Sequence, residues 1–241
     1  MAYDFLGLTN LLLQRVNEVE LSSSNFSSTT GFNSSAKQYI NNSINFINRR
    51  QHMWPWNYVS YDETLTAGQS RYSYQSDTKV VDFDTFRIQQ DDTFGNDTQW
   101  LKPVNYDEYV RRYIDAEYET DTSIRDIPYL VFKAKNREYG VYPPPKEAYT
   151  LTFEYFSSPA KLSAATDVPT IPEAFEDIIV DGGEYYTNYF RGDLEAANLM
   201  YRKWTDDIDS MRRIYIPFED DLVDTRIIRS KSSTYSTLDL N

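Results

Sequence analysis

The sequence predicts an α+β fold. N-terminal helices and a C-terminal helix hairpin form a helical bundle, an antiparallel β-sandwich or small barrel is inserted between them, and an extended C-terminal arm follows. Three observations predict it. Apolar residues recur at spacings of three and four near both ends of the chain. Through the middle they alternate with polar ones at every second position. Past Tyr215 neither period is sustained. The 241 residues suffice to bury a sizeable core as one domain or two. The boundaries drawn from these changes are 1–58 for the N-terminal helices, 59–158 for the β-rich domain with one short helix, 159–215 for the hairpin and 216–241 for the arm.

Residues 3–20 are predicted as an amphipathic helix, with Phe5, Leu8, Leu12, Val16 and Val19 on one face and Leu11 and Leu13 broadening it. The stretch SSSNFSSTTGFNSS is too polar to build a core and reads as a loop anchored by Phe26 and Phe32. A second helix is predicted from Ser34 or Ser35 to about Arg50, with Ala36, Tyr39, Ile40, Ser43, Ile44 and Ile47 on its buried face. In QHMWPWNY, Pro55 biases Trp54 away from helix, so the chain turns there. Two tryptophans flanking a proline fit a plug in the core between helices and sheet, or a platform for stacking sugars. The first is favoured because large aromatics dominate core energetics.

Strands are predicted at Thr64–Thr66, Arg71–Tyr74, Phe83–Ile88, Trp100–Val104, Tyr129–Lys133, Tyr139–Tyr142 and Tyr149–Tyr155. A hairpin loop is expected at Ala67-Gly68-Gln69, and Asp91-Asp92 and Gly95-Asn96-Asp97 are expected to mark another turn. Tyr106, Tyr109, Val110 and Tyr113 recur at helical spacing and place a short surface helix within residues 105–116.

Pro172 suits a first helical turn, and Glu173 and Glu176 suit the positive end of a helix dipole. Phe175, Ile178, Ile179, Gly182, Tyr186 and Tyr189 then share a face. Gly192 is the expected C-cap and Asp193 the N-cap of a further helix, in which Leu194, Ala197, Tyr201, Trp204, Ile208 and Met211 recur at spacings of three and four. So short a connection makes the two helices an antiparallel hairpin. Beyond it, Phe218, Leu222, Ile227, Ile228, Tyr235 and Leu238 are scattered among charges. That composition reads as an arm adding area on a neighbouring subunit by strand addition, or as a terminal strand on its own domain.

One run of residues resembles a known family. It comprises Phe153, Tyr155 and Phe156 closing a strand, then Pro159 and Leu162. The turn Thr166, Asp167, Pro169, Ile171, Pro172, Phe175 follows, and after a helix the Gly192-Asp193 restart. Upstream, Tyr139, Val141, Pro143 and Pro145 match a strand that ends in a proline-rich turn. This order resembles the head-to-tail adaptor proteins of tailed bacteriophages, the connector or tail tubular protein A group. The second half of the chain carries the match, and the first half agrees only in its order of elements. The resemblance implies a virion structural protein of the neck, assembled in the host cytoplasm. It would form a ring, twelvefold in that family, beneath the portal protein and offer the tail tube or nozzle its attachment surface. Double-stranded DNA would pass through the lumen without specific binding. The helices would pack around the ring, the β domain would face the tail, and the arm would reach the portal through Phe218, Leu222, Ile227, Ile228, Tyr235 and Leu238. The longer, tyrosine-rich β region and the Ser/Asn-rich first loop depart from the family and leave the tail-side partner open.

Composition is compatible with this and excludes much else. The net charge of −13 opposes binding DNA by phosphate neutralisation, whereas an acidic wall repels a passing backbone. With 21 tyrosines among the aromatics, the chain is rich in the side chain that packs its ring while keeping its hydroxyl wet. No apolar run approaches the twenty residues of a membrane span, and the acidic opening MAYDFLGLTN argues against a signal peptide. Without cysteine there are no disulfides or zinc–thiolate sites. His52 is the lone histidine, and no G-x-S-x-G or glycine-rich phosphate loop occurs. Asp91, Asp92 and Asp97 lack the spacing of an EF-hand, and Asp206-Asp207 and Asp220-Asp221 read as solvated acidic surface rather than a glycosidase pair. The doublets Arg49-Arg50, Arg111-Arg112 and Arg212-Arg213 are isolated. No enzyme, cofactor, metal or membrane role is therefore expected. The alternative of a different class is a carbohydrate-binding β module using Trp54, Trp56, Trp100 or tyrosines for stacking.

Overall fold

The computed structural model describes residues 2–92, 95–119 and 121–216, and of residues 90–92 and 95–97 the backbone alone. It is α+β, and its described residues divide into two compact units, one within residues 1–47 and 173–241 and the other within residues 48–172.

In the first unit α1 spans Phe5–Arg15, with Asp4 as N-cap accepting from Gly7 N–H at 2.7 Å. The predicted continuation to residue 20 does not occur. Asn17 takes φ 57°, and Glu18 N–H bonds Leu13 C=O while Asn17 N–H bonds Gln14 C=O. This pair of bonds closes a helix around a left-handed residue, a role asparagine tolerates. Val19 therefore lies past the helix and is 80% exposed. The polar loop is fastened as expected: Phe26 meets Phe5 edge-on at 5.1 Å, and Asn10 bonds both N–H and C=O of Leu21.

Helix α2, Phe32–Arg50, starts slightly before the predicted serines. Ala36, Ile40, Ser43, Ile44 and Ile47 are buried as their spacing requires.

Helices α4 (Glu176–Arg191) and α5 (Leu194–Tyr215) form the predicted hairpin; α3 lies in the second unit. Gly192 adopts φ 82°, and Asp193 Oδ1 accepts from Ala196 N–H at 3.0 Å. Pro172 stands one step earlier than predicted, ahead of a 3-10 turn at Glu173–Phe175. Gly182 and Gly183 explain why α4 tolerates glycines in a helix interior, where each costs about 1 kcal/mol relative to alanine. A Cβ on Gly182 would overlap the Trp204 indole and Ser43 Oγ, and one on Gly183 would press on Leu12 at 2.9 Å. The glycines let α2 and α5 on one side and α1 on the other approach α4 closely.

The second unit holds two four-stranded sheets, ordered β1-β8-β3-β4 and β2-β7-β6-β5. The strands are β1 Tyr58–Thr64, β2 Arg71–Ser73, β3 Thr78–Asp92, β4 Gly95–Trp100, β5 Lys102–Val104, β6 Leu130–Lys133, β7 Glu138–Tyr142 and β8 Thr150–Ser157. One core draws on both sheets, with Phe86, Ile88, Leu151, Phe153 and Tyr155 from the first and Tyr72, Val131, Tyr139 and Val141 from the second. Phe86 and Phe153 stack at its centre, 4.6 Å apart and nearly parallel.

Several strand assignments need correction. The strand expected at Phe83–Ile88 extends over Thr78–Asp92, and Gly95-Asn96-Asp97, expected as a turn, open the strand Gly95–Trp100. The first strand runs Tyr58–Thr64 rather than Thr64–Thr66. Among the described residues it is an edge strand, paired with β8, so Asp62 and Glu63 are tolerated and its sequence lacks the usual alternation. The predicted Trp100–Val104 strand is split at Leu101, whose N–H bonds Phe86 C=O while Lys102 N–H bonds Tyr129 C=O. The chain changes sheets there and buries Leu101 between them. Finally, β5 and β6 are parallel. The intervening residues 105–129, with α3 at Tyr106–Arg112, supply the long crossover a parallel pair needs.

Buried tyrosines give this unit a pH signature. Burial pushes the Tyr72 and Tyr155 phenols up to about 12, and Tyr74, Tyr109 and Tyr139 higher still. A raised folded pKa stabilises the fold fully below the ordinary value of 10, and that contribution disappears as pH climbs toward 12. Ultraviolet titration should therefore show these phenols ionising in one cooperative step with unfolding in that window. A smooth titration centred near pH 10, with the fold intact, would contradict the packing described.

Candidate interaction surfaces

The helical unit contains a buried carboxylate. Asp181, on α4, has a side chain only 1% exposed. Its Oδ1 accepts from Arg15 of α1, and its Oδ2 accepts from Lys203 of α5 at 2.6 Å. Arg15 also reaches Asp177 at 2.5 Å, and Lys203 lies 3.9 Å from Asp207. One carboxylate thus joins three helices. Helical spacing alone did not single it out, because Asp181 sits inside an otherwise apolar stretch beside Gly182; a charge in that position is the available signal. Asp181→Asn keeps the size but leaves two cations facing an amide. It should lower unfolding stability by about 1.5–3 kcal/mol, the range for hydrogen bonds to charged groups, as read by urea denaturation.

The apolar stripe of α5 is buried at Ala197, Trp204, Ile208 and Met211, as predicted. It opens at the hairpin corner. Leu194 (57%), Tyr189 (61%) and Phe190 (66%) are exposed on either side of Gly192-Asp193, and Leu199 (70%) extends the patch along α5. The expectation that Tyr189, Leu194 and Tyr201 lie on the buried face is corrected, since Tyr201 too is 38% exposed. Such clustered exposed apolar side chains mark interaction surfaces.

The outward face of the first sheet is polar and acidic. Tyr58 Oη donates to Glu154 at 2.6 Å and to Asp82 at 3.3 Å. Thr152 donates to Asp62, and Arg87 reaches Glu154 at 3.2 Å. Arg87 also lies over the ring of Trp100, 5.7 Å from its centre, and Trp100 is 59% exposed. Trp54, by contrast, is fully buried and stacked on Trp56 at 4.6 Å. Trp54 therefore offers no face to a sugar.

The turn that carries the family resemblance is held by Asp167. Its Oδ2 accepts from the N–H groups of Ser163 (2.6 Å) and Ala164 (2.8 Å), and these bonds keep its carboxyl below the usual range. Leu162, Pro169 and Ile171 are buried beneath it. Those residues fix the backbone rather than forming a site.

Among the other sequence candidates, His52 and Asp206 are exposed and Arg112 pairs with Glu108 at 3.0 Å. The backbones of Asp91, Asp92 and Asp97 lie in the β3–β4 hairpin, with Asp92 opposite Gly95, and their side chains lie outside the described residues. The same holds for Phe218, Leu222, Ile227, Ile228, Tyr235 and Leu238, and for Asp220 and Asp221. Among the described residues no cluster of His, Cys, Asp or Glu is placed to hold a metal ion, and no helix is long and apolar enough to cross a membrane.

One feature escaped the sequence reading. The β6–β7 turn reads Lys133-Ala134-Lys135-Asn136-Arg137, three cations within five residues of an acidic chain, with Asn136 and Arg137 at φ 62° and 61°. The cations alternate with Ala134 and Asn136 and so form no basic doublet.

The described residues offer exposed apolar patches and a polar sheet face. No curated protein matches the chain. A family model, the SU10 adaptor protein, matches residues 4–226, spanning both units and continuing past Ile216. The chain belongs to the SU10 adaptor protein family, phage structural proteins of the head-to-tail adaptor type.

Proposed function

We propose that the protein is a non-enzymatic neck component that forms a ring between the portal and the tail tube or nozzle and continues the DNA channel. The family match over residues 4–226 is the observation that carries this reading. Within it, the helical unit acts as a bundle packed around the ring and the two sheets as a sandwich facing the tail, an arrangement of the tail tubular protein A type with twelve copies. The arm engages the portal through Phe218, Leu222, Ile227, Ile228, Tyr235 and Leu238. DNA passes without specific contact because acidic groups such as Asp62, Asp82 and Glu154 repel its phosphates. The ring belongs to the virion neck and is assembled in the host cytoplasm. The exposed Trp100 is what favours the second reading, a carbohydrate-binding module, and sugar titration of tryptophan fluorescence separates the two.

Alone, copies of net charge −13 should repel and remain monomeric or weakly associated. With portal present they should co-sediment stoichiometrically and appear as rings in negative stain. Failure to associate with portal at every salt concentration would sink the adaptor reading.

A further inference from the structure

The β6–β7 turn borders a groove of about 620 Å³ in the second unit. Its floor is apolar, with Val80, Val81 and Phe83 of β3 and the ring of Tyr74, and Lys79, Lys133 and Arg137 stand around it. Aspartate and glutamate number 37 of the 241 residues, yet none of the described ones lines this groove. Lys79 Nζ donates to the Asn48 carbonyl and Arg137 Nη2 to the carbonyls of Gln75, Ser76 and Thr78. No carboxylate pairs with Lys79, Lys133 or Arg137 among the described residues. Burial without such a partner pulls the Lys79 ammonium below its usual range. The Tyr74 hydroxyl, which burial keeps protonated, is itself buried with no hydrogen-bond partner. Exposed cations around an apolar floor favour a partner that brings both carboxylates and an apolar anchor.

The chain contains a segment of that chemistry. Residues 218–224 read Phe-Glu-Asp-Asp-Leu-Val-Asp, four carboxylates among Phe218, Leu222 and Val223. They follow directly on Ile216, where the described chain ends beyond α5. We infer that this acidic segment of one copy docks in the basic groove of a neighbouring copy, with Phe218 or Leu222 on the Phe83 floor and Asp220 and Asp221 against Lys133 and Arg137. A phosphodiester backbone would satisfy the cations but leave Val80, Val81 and Phe83 uncovered, so the acidic segment fits better than nucleic acid. The inference rests on the ring reading in bringing copies side by side. It moves Phe218 and Leu222 from the portal to the neighbouring copy and leaves Ile227, Ile228, Tyr235 and Leu238 for the portal.

The test uses the full chain with a photoreactive benzoylphenylalanine at Phe218, mixed with isotope-labelled chain and irradiated with and without portal. With portal present, mass spectrometry should find cross-links between differently labelled copies, ending in residues 74–83 or 133–137, and without portal few or none. Lys133→Glu with Arg137→Glu should reduce them at least tenfold at unchanged circular dichroism, and adding Asp220→Lys with Asp221→Lys should restore them. Should the double variant unfold, Lys133→Glu alone, an exposed position, must still weaken the cross-link severalfold. Cross-links confined to one copy, to portal, or to other surfaces would overturn the inference. So would a groove whose variants instead lose binding to a labelled DNA duplex. Portal co-sedimentation of the same variants separates the two readings: the charge reversal should abolish the copy-to-copy cross-link even where portal attachment persists.

Discussion

Replacing Trp204 with alanine is expected to destabilise the helical unit by about 3–5 kcal/mol, the cost of truncating a large buried aromatic. The magnitude follows from how tightly the ring is held. Trp204 is fully buried, its indole lies against the Cα of Gly182, and Phe46 and Tyr185 pack on it at 4.5 and 5.8 Å. Helices α2, α4 and α5 meet at this one side chain, so the cavity left behind cannot close without moving a helix. The indole Nε1 has no hydrogen-bond partner, which assigns the loss to packing rather than polar contact. Trp204→Phe, which forfeits the N–H and keeps most of the ring, should accordingly cost much less than the alanine change. Urea denaturation of both variants decides it. Equal losses would mean that the N–H matters, and an unchanged midpoint for Trp204→Ala would mean that the stripe is not packed as described.

The hairpin was legible because several independent signals agree there. Gly192 and Asp193 fix the corner through backbone conformation and capping, and the three-and-four spacing of Ala197, Trp204, Ile208 and Met211 fixes the buried face. The β unit was less so. Whether a strand lies at an edge or a centre depends on partners distant in sequence, so the seven residues of β1 carry too little alternation to be recognised alone. The sheet change at Leu101 is equally non-local, since it depends on Phe86 and Tyr129 presenting carbonyls on either side. On the functional side, periodicity finds buried faces and passes over charge. It therefore missed Asp181 as the tie between α1 and α5 and the cations of the β6–β7 turn. The family was readable from the Asp167 turn, because a turn closed by its own carboxylate and followed by Pro169 and Pro172 is specified by adjacent residues.

Deleting everything after Ile216 should leave circular dichroism and thermal stability nearly unchanged while abolishing stable attachment to the portal. The fold side of this expectation comes from where α5 ends. Tyr215 packs edge-on against Phe175 at 5.6 Å, and Ile216 N–H bonds Arg212 C=O at 2.9 Å, so the truncation retains these contacts of the helical unit. The attachment side comes from composition. Each large apolar side chain of the arm buried on a partner contributes about 1.5–3 kcal/mol, and ordering the segment opposes a good part of it. Ile227, Ile228, Tyr235 and Leu238 together still exceed what weak surface contacts of an acidic ring supply, so their loss should turn a stoichiometric complex into one that dissociates during sedimentation. Portal should also protect Arg226, Arg229 and Lys231 of the intact chain from trypsin. If the truncated protein unfolds, the arm completes the domain's own core and the portal assignment of these four residues is wrong. If it folds and still co-sediments at full stoichiometry, the exposed corner around Phe190 and Leu194 carries the portal interface instead.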